Sequence, residues 1–311
     1  MYLLHLSKTM DRILWTVKKQ YLAMTLLGLS VLSVLLLSAI QSDGVSQPMD
    51  NSSEDDIVPA ARVQSPFVYD FHEGRIIKEA TSIDRSKDPY WWLNSGGEVI
   101  IQGGAGKTIQ GELSNLSEWR FTYSLSNPRD TDNGSHPQNI FRLITRSTWG
   151  NFEQQVYAKI NAVNLSESAE RDMWDGILLI HRYQDQDNLY YAGIRVDGNV
   201  VIKKKVKGVY YTMALDPVFG GATYNRTGSP NLIPEHQWIG VKTTIKTNPI
   251  GTVSLQVFLD ENRTGEWKLV STATDDGFSY QGKAFTEEGY AGIRTDFMDA
   301  EFDDFKIESI L

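Results

Sequence analysis

The sequence contains no cysteine in its 311 residues. Disulfide bonds, thiolate metal sites and cysteine nucleophiles are therefore excluded. Positive charge is in deficit, because 30 lysines and arginines stand against 39 acidic residues and the formal net charge is −9. This balance argues against general nucleic-acid binding, which needs a basic surface. The five histidines show no H-x-H or H-E-x-x-H spacing, which makes a zinc site improbable.

Helical periodicity is also missing beyond residue 40. Before the region of predicted strands, the first 66 residues divide into three segments. Residues 21–40 carry no charge and are long enough to cross a bilayer as a helix. Four basic residues and one acid lie in residues 1–20, which predicts a cytoplasmic N-terminus and a single-pass protein whose C-terminal domain lies outside the cell membrane. A cleaved signal peptide, and hence a secreted protein, is the alternative. Residues 41–66 have five acids and no aromatic residue, which predicts a flexible linker.

Beyond residue 67, apolar and β-branched runs alternate with Gly, Asn, Asp and Pro, which is typical of strands and turns. Val-Asp-Gly-Asn at 196–199 predicts a tight hairpin. The pattern predicts one all-β sandwich or jelly roll over residues 67–311. Its strands are expected at 98–102, 119–125, 139–146, 152–163, 176–183, 189–196, 199–206, 209–214, 238–246, 252–259, 267–274, 289–295 and 300–310.

The string Tyr-Ala-Gly-Ile-Arg occurs twice, at residues 191–195 and 290–294. Alternation along a strand puts Tyr, Gly and Arg on one face and Ala and Ile on the other. The flanking sequences differ, which argues against a duplicated domain. The first copy is predicted to contribute to function because it neighbours a strand with His and Tyr side chains. The second copy is predicted to be architectural.

Three segments resemble the concanavalin A-like lectin/glucanase superfamily: STWGNFEQQVYAKI at 147–160, the hairpin WDGILLIHRYQDQDNLYYAGIRVDGNVVIKKK at 174–205, and GYAGIRTDFMDAEFDDFKIESI at 289–310. The superfamily includes laminin-G-like modules, 3-keto-disaccharide hydrolase-like domains and several polysaccharide lyases. The resemblance implies a concanavalin A-like jelly roll and recognition of an extracellular glycan. A laminin-G-like adhesion module with a protein partner is a further alternative.

The predicted ligand face combines basic and aromatic side chains on strands that are expected to be neighbours. Arginine pairs with carboxylates or sulfates, and tyrosine rings stack on sugars, so the hypothesis is an anionic polysaccharide as ligand. The plain alternative is a solvated outer sheet face. The predicted glycan contacts are Arg146, Gln155, Tyr157 and Arg195, and the catalytic candidates are His181, Tyr183 and Tyr191.

An enzyme that uses the same face is the alternative function, either a glycoside hydrolase or a polysaccharide lyase. The R-x-E-L-R and Q-I/V-H strand motifs of alginate lyases are absent. The nearest match to the E-x-D-x-x-E motif of retaining glucanases is residues 170–175, which end in Asp and lie in a polar stretch, so this activity is not expected. The resemblance also implies calcium on the back of the fold, held by Asp70 with Asp303 or Asp304, because oxygen ligands suit this ion.

Overall fold

The structure is a computed structural model and describes residues 57–311. The predicted membrane segment at 21–40, the residues before it and most of the predicted linker lie outside the described residues. Within the described part of the chain, no helix has both the length and the apolar character needed to cross a bilayer. Residues 57–66 contact the domain, since the Val58 carbonyl accepts a hydrogen bond from Arg146 Nη1 at 2.8 Å and Ala61 N donates to the Pro89 carbonyl at 2.8 Å.

Within residues 57–311, sixteen strands form two antiparallel sheets, which confirms the all-β sandwich. The nine-stranded sheet runs β14-β13-β12-β7-β16-β5-β4-β2, with β1 also paired to β16, and the seven-stranded sheet runs β11-β10-β9-β8-β15-β6-β3. The strands are β1 (Phe67–Tyr69), β2 (Arg75–Lys78), β3 (Trp91–Ser95), β4 (Glu98–Ile101), β5 (Gly106–Lys107), β6 (Ile140–Trp149), β7 (Phe152–Val163), β8 (Gly176–Asp185), β9 (Asn188–Arg195), β10 (Asn199–Val206), β11 (Val209–Pro217), β12 (Ile239–Thr247), β13 (Val253–Asp260), β14 (Lys268–Asp275), β15 (Gly289–Asp296) and β16 (Met298–Ser309).

The main hydrophobic core lies between the two sheets and is built from alternate residues of each strand. The Ala and Ile of both Tyr-Ala-Gly-Ile-Arg strings, at 192, 194, 291 and 293, point into this core, as predicted. A second, smaller cluster lies on the outer face of the seven-stranded sheet and includes Trp92, Ile144 and Tyr183. The segment before β3 covers part of this cluster, since Ala80 and Ile83 pack against it.

The prediction of a strand at 119–125 is wrong, because residues Glu118–Ser126 form a helix, α1. The alternating apolar residues of this stretch imitate a strand pattern. Ser117 caps the helix by accepting a hydrogen bond from Arg120 N, which satisfies an amide of the first turn. Only one side of α1 is used for packing, because Tyr123 is buried whereas Phe121 and Leu125 are 66% and 71% exposed.

Candidate functional site

A cavity of about 340 Å³ opens on the outer face of the seven-stranded sheet, where the loop before β8 meets β9, β10, β11 and β15. Its walls combine aromatic rings, two cationic side chains and three carboxyl groups. We call it the Trp174 cavity, and it is lined by Glu170, Asp172, Trp174, Asp175, Leu178, Tyr191, Lys203, Tyr210, Thr212 and Arg294.

Trp174 lies on the loop before β8 and is held in place from behind by Arg195. The guanidinium carbon of Arg195 lies 3.7 Å from the centroid of the Trp174 ring. Arg195 is fully buried, and it donates to the Met173 carbonyl at 2.9 Å and to Asp197 Oδ2 at 2.7 Å. Burial keeps Arg195 away from any ligand, so its role here is to position Trp174, which remains 38% exposed.

Lys203 projects from β10 between two aromatic rings of the Trp174 cavity. Its Nζ atom lies 4.2 Å from the centroid of Trp174 and 5.5 Å from that of Tyr210. Among residues 57–311, no carboxylate oxygen lies within 4.0 Å of this atom. Burial lowers the pKa of Lys203 to about 8, and the charges of Arg195 and Arg294 add to this effect.

Arg294 brings the second Tyr-Ala-Gly-Ile-Arg string into the same site as the first. Its guanidinium carbon lies 5.0 Å from the ring centroid of Tyr191, which belongs to the first string. Arg294 Nη1 donates to Tyr210 Oη at 3.1 Å, and its Nε donates to Asp296 Oδ1 at 2.9 Å. The prediction that the second copy is only architectural therefore does not describe Arg294, because both copies contribute to the wall of one cavity.

The loop at 170–175 supplies the acidic wall of the Trp174 cavity. Asp172 Oδ1 accepts a hydrogen bond from Trp174 N at 2.6 Å, and Asp175 Oδ2 accepts one from Asp172 N at 2.9 Å. Asp175 is buried, and this burial together with the nearby charges of Asp296 and Asp172 raises its pKa to about 9. At neutral pH the acidic wall therefore holds one neutral carboxylic acid beside the exposed carboxylate of Glu170.

His181 is not part of the site, and the prediction that it shares a face with Tyr183 is wrong. Arg182 takes a left-handed conformation at φ 47°, and the pairing of β8 with β9 becomes irregular after His181. The two side chains therefore point to opposite faces of the sheet. His181 is fully buried between the sheets, where Nε2 bonds Thr243 Oγ1 at 2.7 Å and the ring stacks on Phe152. Burial lowers its pKa to about 3, so it cannot serve as a proton carrier for a ligand outside.

Tyr183 and Arg146 lie on the seven-stranded sheet but away from the Trp174 cavity. Tyr183 is 6% exposed and packs edge-on against Trp92 in the smaller hydrophobic cluster. Arg146 Nη1 donates to the carbonyls of Val58 and Asp88, each at 2.8 Å, and fastens two loop segments to β6. Neither side chain is free to contact a glycan, contrary to the prediction.

Gln155 and Tyr157 lie on the outer face of the nine-stranded sheet, on the opposite side of the sandwich. Tyr157 Oη donates to Asp260 Oδ2 at 2.8 Å, and burial together with this carboxylate raises the pKa of Tyr157 to about 12. Gln155 pairs across to Lys242 on β12. Of the predicted contact and catalytic residues, only Tyr191 lines the Trp174 cavity.

The residues predicted to hold calcium do not form a suitable group. Arg263 Nη2 lies 2.5 Å from Asp303 and 2.6 Å from Asp304, so a guanidinium already occupies the place between these two carboxylates. Asp70 pairs with the exposed His72 at 3.3 Å. Within residues 57–311, no group of three or more His, Asp or Glu side chains is arranged to hold a metal ion. The predicted calcium site is therefore not supported by the geometry of these side chains.

Most residues of the Trp174 cavity were not predicted, because they are far apart in the sequence and come together only in the folded structure. In the sequence, residues 170–175 offer only a weak match to a glucanase motif. Tyr210 carried no signal beyond its strand. The repeated string could have pointed to Arg294, because both copies lie in one sheet and place their Tyr and Arg side chains on the same face.

No protein-family model and no curated protein sequence matches the chain. Similar solved structures include the carbohydrate-binding module CBM66 from Bacillus subtilis, at 17% identity and a TM-score of 0.39, over 55% of this chain and 83% of that one. The GH43 protein BlXynB from Bacillus licheniformis matches at 12% identity and a TM-score of 0.42, over 81% of this chain and 41% of that chain. The Ca²⁺-bound exoplasmic/lumenal domain of VIP36 matches at 11% identity and a TM-score of 0.35, over 78% of this chain and 92% of that one.

These matches concern the fold alone, because the identities do not exceed 17% and the TM-scores do not exceed 0.42. They carry no argument about what this chain binds. The two antiparallel sheets agree with the all-β sandwich that the resemblance seen in the sequence implies.

Proposed function

We propose that this domain recognises an extracellular glycan at the Trp174 cavity. The observation that carries the proposal is the pairing of exposed aromatic rings with polar groups that lack a protein partner. Trp174 and Tyr210 are 38% and 44% exposed and offer ring surface to a sugar. Beside them, the ammonium of Lys203 has no carboxylate oxygen within 4.0 Å among residues 57–311. Binding pockets combine apolar surface with a few such polar groups.

An anionic polysaccharide is the finer form of this proposal. The support comes from Lys203 and Arg294, which place two cations on one wall of the cavity. A carboxylate of the glycan would give Lys203 the counter-ion that it lacks among the described residues. Exposure of the domain on the outside of a membrane is also part of the proposal, and it rests on the apolar segment at 21–40.

The test is a glycan array probed with the full-length chain in detergent, using uronate-containing glycans and their neutral counterparts. Trp174→Ala should weaken binding roughly tenfold or more, because a central aromatic contact is commonly worth more than about 1 kcal/mol. Trp238→Ala is the matched control, since Trp238 lies against Lys159 on the other sheet. If both variants weaken binding equally, or if no glycan binds, the proposal is wrong.

Glycoside hydrolysis is a second candidate, favoured by one arrangement. A neutral Asp175 lies in the same cavity as the carboxyl groups of Glu170 and Asp172, and such a pairing of an acid with a carboxylate is what glycosidases use. The glycans that bind should then be recovered shortened after incubation, and Asp175→Asn should prevent the shortening.

The lyase alternative needs an accessible histidine or tyrosine, and its histidine candidate, His181, is buried in the core. A laminin-G-like adhesion module would bind none of the glycans and would retain a protein partner.

A further inference from the structure

The Trp174 cavity contains charges of both signs that have no ion-pair partner among residues 57–311. Lys203 is 6% exposed, and its ammonium group lies beside the rings of Trp174 and Tyr210. The other cation of the cavity, Arg294, is already paired with Asp296 at 2.8 Å. Lys203 is therefore the one cation of the cavity that a ligand could neutralise.

Glu170 and Asp172 provide the opposite charge on the facing loop. In the part of the chain that the structure describes, no Lys, Arg or His nitrogen lies within 4.0 Å of either carboxylate. Asp172 and Lys203 influence each other electrostatically, yet they too are farther apart than an ion pair allows. The cavity thus separates an unpaired ammonium from two unpaired carboxylates.

Hydrogen bonding and strand pairing hold Asp172 and Lys203 on opposite walls of the cavity. Asp172 is held by the hydrogen bond from Trp174 N at 2.6 Å. Lys203 belongs to a strand that is paired on both sides, to β9 and β11, and its ammonium is confined beside Trp174. A buried charge without a counter-ion is costly, so complementary charge is expected to come from the ligand.

We infer that the glycan bound in the Trp174 cavity is dipolar, with a carboxylate that faces Lys203 and a free amine, on the same or a neighbouring sugar, that faces Glu170 and Asp172. This inference rests on the proposed function and names its ligand class. A purely anionic glycan would satisfy Lys203 but would be repelled by the two carboxylates. A purely cationic glycan would pair with the two carboxylates but would be repelled by Lys203.

The experiment compares two forms of one oligosaccharide, an alternating glucuronic acid and glucosamine chain with its amines either free or N-acetylated. Affinity for the full-length chain in detergent is measured by titration calorimetry. The free-amine form should bind at least tenfold more tightly than the N-acetylated form. Glu170→Gln should remove this preference by weakening only the free-amine form, because N-acetylation already deletes the charge that Glu170 would pair with.

Lys203→Met should weaken both forms, because both carry the carboxylate. Glu170 is exposed, so its variant tests the inference even if Lys203→Met fails to fold. Lys246→Met is the control for loss of a positive charge, since Lys246 is exposed on β12 of the other sheet. Its affinities should equal those of the wild type.

Three results would overturn the inference in distinguishable ways. If both forms bind equally and Trp174→Ala weakens both, the glycan site stands and the dipolar ligand is wrong. If neither form binds while other glycans bind through Trp174, the ligand class is wrong but the site is right. If neither form nor any arrayed glycan binds, the proposed function fails together with the inference.

Discussion

A buried ion pair connects the two sheets, and it shows how individual residues set the stability of the domain. Lys204 and Asp275 are both fully buried, and Nζ lies 2.7 Å from Asp275 Oδ2. Tyr190 Oη donates to the same oxygen at 2.6 Å, while Gly277 N donates to Oδ1 at 2.9 Å. Lys204 also donates to the Gly282 and Lys283 carbonyls. Each of the two side chains has the other as its ion-pair partner.

Asp275→Asn should destabilise the domain by about 3 kcal/mol or more, because it leaves the buried ammonium of Lys204 without a counter-charge. The double variant Lys204→Met/Asp275→Asn should recover part of this loss, since it removes the uncompensated charge. Urea unfolding followed by tryptophan fluorescence gives both free energies. A loss below about 1 kcal/mol in Asp275→Asn would show that Lys204 finds another partner.

At the scale of the strand, the repeated Tyr-Ala-Gly-Ile-Arg string solves a problem of close approach. A Cβ atom at Gly193 would lie 2.2 Å from the Ile177 carbonyl oxygen of β8. A Cβ atom at Gly292 would lie 2.2 Å from the Leu143 carbonyl oxygen of β6. In both copies, glycine lets the neighbouring backbone come close, while the flanking Tyr and Arg face outward. The string is one structural device used on two strands of the same sheet.

Gly193→Ala should cost about 1–3 kcal/mol, because the added methyl group meets a backbone carbonyl that cannot move without shifting β8. Gly292→Ala should behave alike. Gly74→Ala is the control, since nothing lies within 4 Å of a Cβ at that position, and its effect should stay within about 0.5 kcal/mol. Equal melting temperatures for Gly193→Ala and Gly74→Ala would contradict the close-approach argument.

For the whole molecule, two buried groups give the stability opposite dependences on pH. The pKa of His181 is lowered to about 3, so the unfolded chain binds the extra proton and stability falls as pH drops below about 6.5. The pKa of Asp175 is raised to about 9, so the folded chain binds the extra proton and stability falls as pH rises from about 4 towards 9. Of these two groups, only Asp175 still changes the stability above about pH 6.5.

Asp175→Asn should therefore gain stability relative to the wild type as pH rises from 7 to 9. The gain is limited to about 1.4 kcal/mol per pH unit, the value for one proton. Asparagine keeps an oxygen that can accept the hydrogen bond from Asp172 N, so the variant isolates the effect of ionisation. Parallel curves of unfolding free energy against pH for the two proteins would show that Asp175 is already ionised at neutral pH.

The sequence by itself determined the strands, because alternation of apolar residues and turn residues are local signals. Strands β7 and β10 begin and end where the sequence predicts, and the Ala and Ile of both repeated strings point inward. The predicted hairpin at 196–199 joins β9 to β10, with Gly198 at φ 83°. The exceptions are β1, β2, β3 and β5, which the sequence did not predict, and the helix α1. In α1, a serine cap and tertiary packing of Tyr123 prevailed over an alternating pattern.

Only the tertiary structure decided which of these faces forms a site. Alternation puts His181 on the core face with Ile177 and Leu179, and the left-handed residue Arg182 turns Tyr183 to the outer face instead. Sheet order places Gln155 and Tyr157 on the far side from Tyr191. The loop at 170–175 folds over β9 and β10 and brings its carboxyl groups opposite Lys203 and Arg294. Alternation fixes the side of a strand on which a residue lies, whereas strand order, bulges and loop paths depend on contacts between distant residues. The site is built from those contacts.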